Sequence, residues 1–336
     1  MAHLLRGMAA DGTLRVIAAD TTDLVAEALA RHETGATAGA ALGRTLTASL
    51  LLAHVLLKDH RDRVTVKLSG GGPLGGVIAD AGLDGTVRGY ARFPETELPL
   101  RADGKLDVGG AVGRDGEIEV IRSHAPYGDP YTSSVRLVSG EVAEDVATFL
   151  ARSEQIASAV LLGVSFAESR PGTPPARRVR RAGGVVLQAL PGAGDAALAL
   201  LEANVKAFGQ LTDVLHEHPL QHAMEELTWG LGFELMTQEA LPLEFSCRCS
   251  DEKALAAIAY FSPGERAEMI EEEGGAQVVC HWCGQARFVD ADAIAGLVAP
   301  EIRCPECDAL WHREGVTTMV RDQELCACGR RVVLPS

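Results

Sequence analysis

The stretch "FSCRCSDEKALAAIAYFSPGERAEMIEEEGGAQVVCHWCGQARF" (245–288) decides how this chain is read. Cys247 and Cys249 have one residue between them, Cys280 and Cys283 have two, and thirty residues separate the pairs. Four thiolates delivered as two close pairs can close a tetrahedral zinc site, each pair supplying two corners from one short loop. The intervening segment reads as helical with a break at Ser262-Pro263. A zinc ribbon ordinarily uses two CxxC knuckles, so the CxC pair is unusual. It can chelate a metal and could also close a tight disulfide. In a nearly extended chain that bond sits at the upper edge of bridging distance, strained and easily reduced. Zinc supplies roughly 10–16 kcal/mol of apparent folding free energy to a small metal module, against a net stability of about 5–15 kcal/mol for a whole domain. Oxidising the ligands should therefore unfold the module. From spacing alone, a structural zinc and a redox switch both stand.

Composition sets the frame around this module. The chain has 336 residues, 47% of them hydrophobic, enough for two or more folded units. No run of some 18 apolar residues is present, and the start "MAHLLRGMAADGTLRV" lacks a long apolar stretch, so the expected compartment is the cytoplasm, with no membrane partner. Disulfides are kept reduced there, and eight cysteines then point to metal ligands or a redox sensor. The formal charge of -15 argues against a nucleic-acid partner. The one basic run, "PPARRVRRAGG" (174–184), reads as a solvated linker.

The N-terminal half mixes strands and helices. Val64, Val66 and Leu68 alternate in "RVTVKLSG" as in a half-buried strand, "TVRGYARF" (86–93) reads similarly, and "GGGPLGG" (70–76) is a turn between them. Leu24, Val25, Ala28 and Leu29 have helical spacing, "GAALGRTLTASLLLAHVLLK" (39–58) is a longer apolar helix, and Val142, Val146, Phe149 and Leu150 mark another helix with an acidic first turn. Without a repeating βαβ rhythm the fold class is α+β. "ESRPGTPPARR" (168–178) looks like a boundary, followed by one more strand in "GGVVLQALPGAG". Asp195 is expected to cap a helix carrying Leu198, Leu201, Val205, Phe208, Leu211 and Leu215, and Pro219 ends it before a stripe of Leu220, Met224, Leu227 and Leu231. The expected division is an α+β domain over 1–175, a helical linker over 176–238, a small zinc-binding redox domain over 239–298 and a cysteine-rich extension over 299–336.

Stretch 245–288 resembles the redox module of the 33-kDa heat-shock protein family, the cytosolic redox-regulated holdase chaperones. "LKDHRDRVTVKLSGGGPLGGVIADAGLDGTVRGYARFP", "SGEVAEDVATFLARSEQIASAVLLGVSF" and "AGGVVLQALPGAGD" agree as well, so the similarity covers roughly residues 4 to 298. It implies an ATP-independent chaperone and no enzyme: off when reduced and zinc-bound, on after peroxide or hypochlorous acid releases the metal. Carried over, the zinc ligands are Cys247, Cys249, Cys280 and Cys283, with one Zn(2+) per chain. The implied disulfides join Cys247 with Cys249 and Cys280 with Cys283. A homodimer and unfolded client proteins are the implied partners. The stripe Leu198, Leu201, Val205, Phe208 and Leu215, ordinarily plain core, becomes the candidate client-binding patch if loss of zinc frees it.

The chain departs from the family pattern at its end. "IRCPECDALWH" and "ELCACGRR" add Cys304, Cys307, Cys326 and Cys328, the first set in reverse order. A second zinc site is the first reading. Alternatively, Cys280, Cys283, Cys304 and Cys307 form the ribbon, or the extra thiols, near Arg303, Arg330 and Arg331, tune oxidation. Other signals fade: "LSGGGPLGGV" lacks the Gly-Lys-Ser/Thr ending of a phosphate loop, His216, His218 and His222 in "HEHPLQH" sit at a polar helix junction, His281 could replace a thiolate but four cysteines suffice, and there is no GxSxG elbow. A thiol oxidoreductase working through Cys280 and Cys283 is the competing class, and it would want a βαβ setting; a zinc-ribbon adaptor is the third.

Overall fold

Strand alternation and one all-round apolar helix build the larger part of the molecule. A computed structural model describes residues 1–124, 129–168, 173–236 and 239–297, with the backbone of 302–303 and 310–311. The chain forms two compact units, the first made of Met1–Cys247 together with His281–Cys283, the second of Arg248–Cys280 and the described residues from Gly284 onward.

The first unit runs β1 (His3–Ala9), β2 (Leu14–Asp20), α1 (Thr22–Arg31), α2 (Ala36–Leu56), β3 (Asp62–Gly71), β4 (Val77–Gly82), β5 (Thr86–Ala91), α3 (Val108–Val112), β6 (Gly113–His124), β7 (Tyr131–Arg136), α4 (Ala143–Arg152), β8 (Ser158–Phe166) and β9 (Val179–Ala189). It continues through α5 (Asp195–Ala207), α6 (Leu211–Glu217), α7 (Leu220–Leu227) and the two-residue strands β10 (Glu234–Leu235), β11 (Leu241–Pro242) and β12 (Glu244–Phe245). One sheet has the order β10-β1-β2-β9-β8, with β11 also on β1; the other is β12-β5-β4-β3-β6-β7. The fold is α+β, as the mixed pattern predicts.

Helix α2 packs against β3, β4 and β5 of one sheet and β2, β8 and β9 of the other. Its length and apolarity would suffice to cross a membrane, but 78% of its apolar window is buried in protein, so it is a core helix. Small residues let the sheets close on it: a Cβ on Gly43 would lie 2.8 Å from both Val25 and Val164. Thr45, Thr47 and Ser49, fully buried, donate their hydroxyls to carbonyls one turn back at 2.8 Å.

Three local expectations need correcting. The apolar stripe from Leu198 to Leu215 lies on two helices, because Phe208 takes an extended conformation at the end of α5 and Gly209 follows it before α6. Asp195 is the first helical residue, and the cap position belongs to Gly194 with no side-chain hydrogen bond. Leu201, Phe208, Leu211 and Leu215 are buried with Leu14, Val16, Val185 and Leu187 of the first sheet; Leu198 and Val205 pack half-buried beside them. The Pro-rich segment expected as a boundary connects β8 to β9, which pair antiparallel from Ser158–Gln188 to Phe166–Val179, so both strands belong to one sheet.

The second unit is smaller: α8 (Asp251–Ile258), α9 (Pro263–Glu273), the hairpin β13 (Gly275–Val279) and β14 (Ala286–Asp290), α10 (Ala291–Ala295), and the strands β15 (Ile302–Arg303) and β16 (Leu310–Trp311), which pair with each other. Ser262 breaks the helical stretch as predicted. Its Oγ accepts from Glu265 N at 3.2 Å and Glu265 Oε2 accepts from Ser262 N at 2.8 Å, a reciprocal cap with Pro263 at the first helical position. Among the described residues, Ala254, Ile258, Val289 and Ile294 form its buried apolar cluster.

Candidate metal centre

The local chain builds each cysteine pair as a short loop. Cys280 and Cys283 sit in the turn that joins β13 to β14; Gly284 N donates to Cys280 O at 2.8 Å and Cys280 N to Gln285 O at 3.0 Å, closing the knuckle. Gly284, at φ +69°, provides the left-handed residue this turn needs. Cys247 and Cys249 lie between β12 and α8, whose N-cap Ser250 accepts from Lys253 N at 3.2 Å.

The four Sγ atoms of Cys247, Cys249, Cys280 and Cys283 lie within 4.8 Å of one another. Tetrahedral Zn–S bonds of about 2.3 Å would set neighbouring sulfurs roughly 3.8 Å apart, so this donor set fits a tetrahedral thiophilic cation with little adjustment. Cys283 is buried and the other three are half-buried. No other group of three or more metal-ligating side chains gathers among the described residues. His218 and His222 stack with ring centroids 4.1 Å apart at the junction where the sequence places them, without a third donor. His281 turns toward Tyr90, ring centroids 6.1 Å apart, and is outside the thiol cluster. Cys304, Cys307, Cys326 and Cys328 lie outside the described residues.

Residues that the spacing argument did not single out surround the pairs. β12 pairs in parallel with β5, Glu244 opposite Thr86 and Phe245 opposite Val87, and Ser246 N donates to Val87 O at 2.9 Å. Phe245 is 6% exposed, edge-on to His32 at 6.4 Å, with the Arg31 guanidinium 5.3 Å from its ring centre. Trp282, between the two knuckle cysteines, lies 4.4 Å from the Arg88 guanidinium and meets Tyr90 at a right angle, 5.6 Å between centroids. Burial lowers the pKa of His32; hydrogen bonding to the backbone of Trp282 and Gly89 opposes the shift, and the nearby charge of Arg31 adds to it. An aromatic within a CxxC is visible in sequence; its partner strand, nearly two hundred residues earlier, is not.

A known family now accounts for the arrangement: the sequence signature described as "Hsp33 protein" matches residues 2–290. The chain belongs to the Hsp33 family. A 33 kDa chaperonin of Thermus thermophilus is 50% identical, covering 100% of this chain and 98% of its own length. The 33 kDa chaperonin of Deinococcus radiodurans is 50% identical over 89% of this chain and 99% of its own. The crystal structure of the 33 kDa chaperonin, heat shock protein 33 homolog, of Thermotoga maritima superposes with a TM-score of 0.78 at 30% identity, covering 88% of this chain and 97% of that one. The Hsp33 signature stops before the last four cysteines, whereas the Thermus match runs through them. The names of these relatives mark Hsp33 as a chaperone family, which implies binding of client polypeptides.

Proposed function

We propose that this protein is a redox-regulated, ATP-independent holdase: reduced and zinc-bound it is quiescent, and oxidation of the four-thiol centre turns it into a binder of unfolding proteins. The observation that carries this reading is the convergence of Cys247, Cys249, Cys280 and Cys283 within 4.8 Å. Four thiolates would hold one Zn(2+), which supplies charge neutralisation and a cross-link between the two cysteine pairs. Thiolates are also the nucleophiles that react with peroxide. Two molecules of hydrogen peroxide and four protons would convert four thiolates to two disulfides and four waters, the metal leaving as the free cation. The disulfides expected by resemblance are Cys247 with Cys249 and Cys280 with Cys283, each between near neighbours.

The client-binding reading of Leu198, Leu201, Val205, Phe208 and Leu215 is supported by where these residues lie. In this form they cover the first sheet, so they could hold a client only after that packing opens. A homodimer, a cytoplasmic location under oxidative stress, no nucleic-acid or membrane partner, and a second metal in the extension at Cys304, Cys307, Cys326 and Cys328 complete the proposal.

An oxidoreductase reading through Cys280 and Cys283 has less support. The pair sits in the turn of an antiparallel hairpin, whereas a low-pKa CxxC couple sits at a helix N-terminus. The test is to titrate the reduced, zinc-loaded chain with peroxide while following zinc release, free thiols and suppression of aggregation of a heat-denatured model client. Zinc loss that coincides with the onset of suppression, reversed by reductant plus zinc, is expected. Suppression that is constant across the titration, or absent throughout, overturns the proposal.

A further inference from the structure

Strand β5 is paired with β4 along its length on one side, but on the other it carries only the two residues of β12. Beyond Val87 that outer edge has no strand partner among the described residues. A half-covered edge is a template for another extended chain. Two aromatic side chains of the cysteine pairs' own loops lie beside it: Phe245 against Arg31 and His32, and Trp282 against Arg88 and Tyr90. All of these residues belong to the first compact unit.

We propose that the outer edge of β5, flanked by Arg31, His32, Arg88 and Tyr90, is a seat for an extended, aromatic-bearing segment of a client polypeptide, and that in the reduced form the chain's own Phe245 and Trp282 fill it. The seated β12 shows what the edge accepts. Backbone groups give it two hydrogen bonds, Glu244 N to Gly85 O at 3.1 Å and Ser246 N to Val87 O at 2.9 Å. The Phe245 ring gives it an anchor, and the guanidiniums of Arg31 and Arg88 suit both aromatic faces and acidic neighbours such as Glu244. Residues next to the cysteines thereby act as an internal plug. Cys247 follows Phe245 by two positions and Trp282 lies between Cys280 and Cys283, so both rings are carried by the loops that hold the thiols. This inference rests on the redox reading above for its timing, but not for the existence of the seat.

The probe is a fluorescein-labelled peptide of residues 240–246 (ALPLEFS), with a scrambled peptide and a Phe245→Ser peptide as controls, followed by anisotropy on the full chain. In the reduced zinc-loaded protein binding should be weak. After peroxide, or in a reduced chain carrying Phe245→Ala with Trp282→Ala, affinity should rise roughly tenfold or more, the scale of an aromatic anchor. Arg88→Gln with Tyr90→Ser should abolish that gain in the oxidised form without changing zinc release. Equal binding of the scrambled peptide, or a gain that survives the β5 substitutions, overturns the seat. Zinc and thiols are counted in the same samples. Zinc loss with disulfide formation but no peptide binding overturns the seat alone; retained zinc counts against the redox reading, and the reduced double variant then still decides the seat.

Discussion

The two compact units each cohere by different means. In the first, two sheets enclose an almost wholly buried 21-residue helix, and Phe149, Leu4, Leu14, Leu46, Leu50 and Leu68 are all under 2% exposed. Among the described residues of the second, the buried apolar side chains are Ala254, Ile258, Val289 and Ile294, while Phe288 and Val279 stand 62% and 51% exposed. An apolar core of four residues contributes little against chain entropy, and small modules of that kind commonly gain stability from a metal or other cross-link. Of the four clustered thiols, Cys249 and Cys280 belong to the second unit and Cys247 and Cys283 to the first. On the redox reading proposed above, order in the second unit would follow the oxidation state of the thiols, whereas the first unit would keep its own core.

The sharpest way to break this contrast is Cys283→Ser, which removes the buried thiol of the proposed centre. Zinc modules of this kind owe about 10–16 kcal/mol to their metal. Amide exchange over 251–290 should become unprotected and the zinc content fall, with the first unit's urea transition unchanged. Protection retained in the variant would mean that the second unit stands on its apolar core.

Next in size is Arg63→Ala in the first unit. Arg63 pairs with Asp80 at 2.8 Å, side chains 8% and 7% exposed, and Arg88 Nε lies 3.3 Å from the same carboxylate. Stranding a buried charge costs about 3–5 kcal/mol, and Arg88 should hold the loss near the low end. The urea midpoint of the first unit should drop while zinc affinity is unchanged.

Ser262→Ala removes the cap of α9 and should cost about 1 kcal/mol, seen as a lower midpoint for the second unit with zinc loaded and no change in the first. The smallest expected effect is a pH dependence. Burial, aided by Arg6 and opposed by Asp84, lowers His54 to about 4. The unfolded chain takes up this proton near pH 6.5 and the folded one only near 4, so the first unit's stability is full above 6.5 and declines as pH falls through that window. His54→Gln should flatten that part of the profile; an unchanged slope would assign it to other groups.

Local patterns carried much of this architecture in the sequence. Val64, Val66 and Leu68 alternate because β3 has two different faces, and all three are buried; the cysteine pairs are legible because a chelate needs donors within one short loop. What escaped depends on distant partners or on ambiguous punctuation. Pro and Gly in 168–178 mark a turn as readily as a boundary, and the pairing of β8 with β9 decides between them. The break at Phe208-Gly209 leaves the helical spacing intact, so the stripe reads as one helix. β12 has two residues, too short to show a period, and its pairing with β5 spans more than 150 positions.

Hydrogen exchange on the full chain before and after peroxide tests the central claim most directly. The account predicts that α8, α9, β13 and β14 lose protection as zinc leaves, that β3, β4 and β6 keep theirs, and that reductant with zinc restores the first set. Protection that survives zinc loss in 251–290, or that vanishes from both units together, would contradict it.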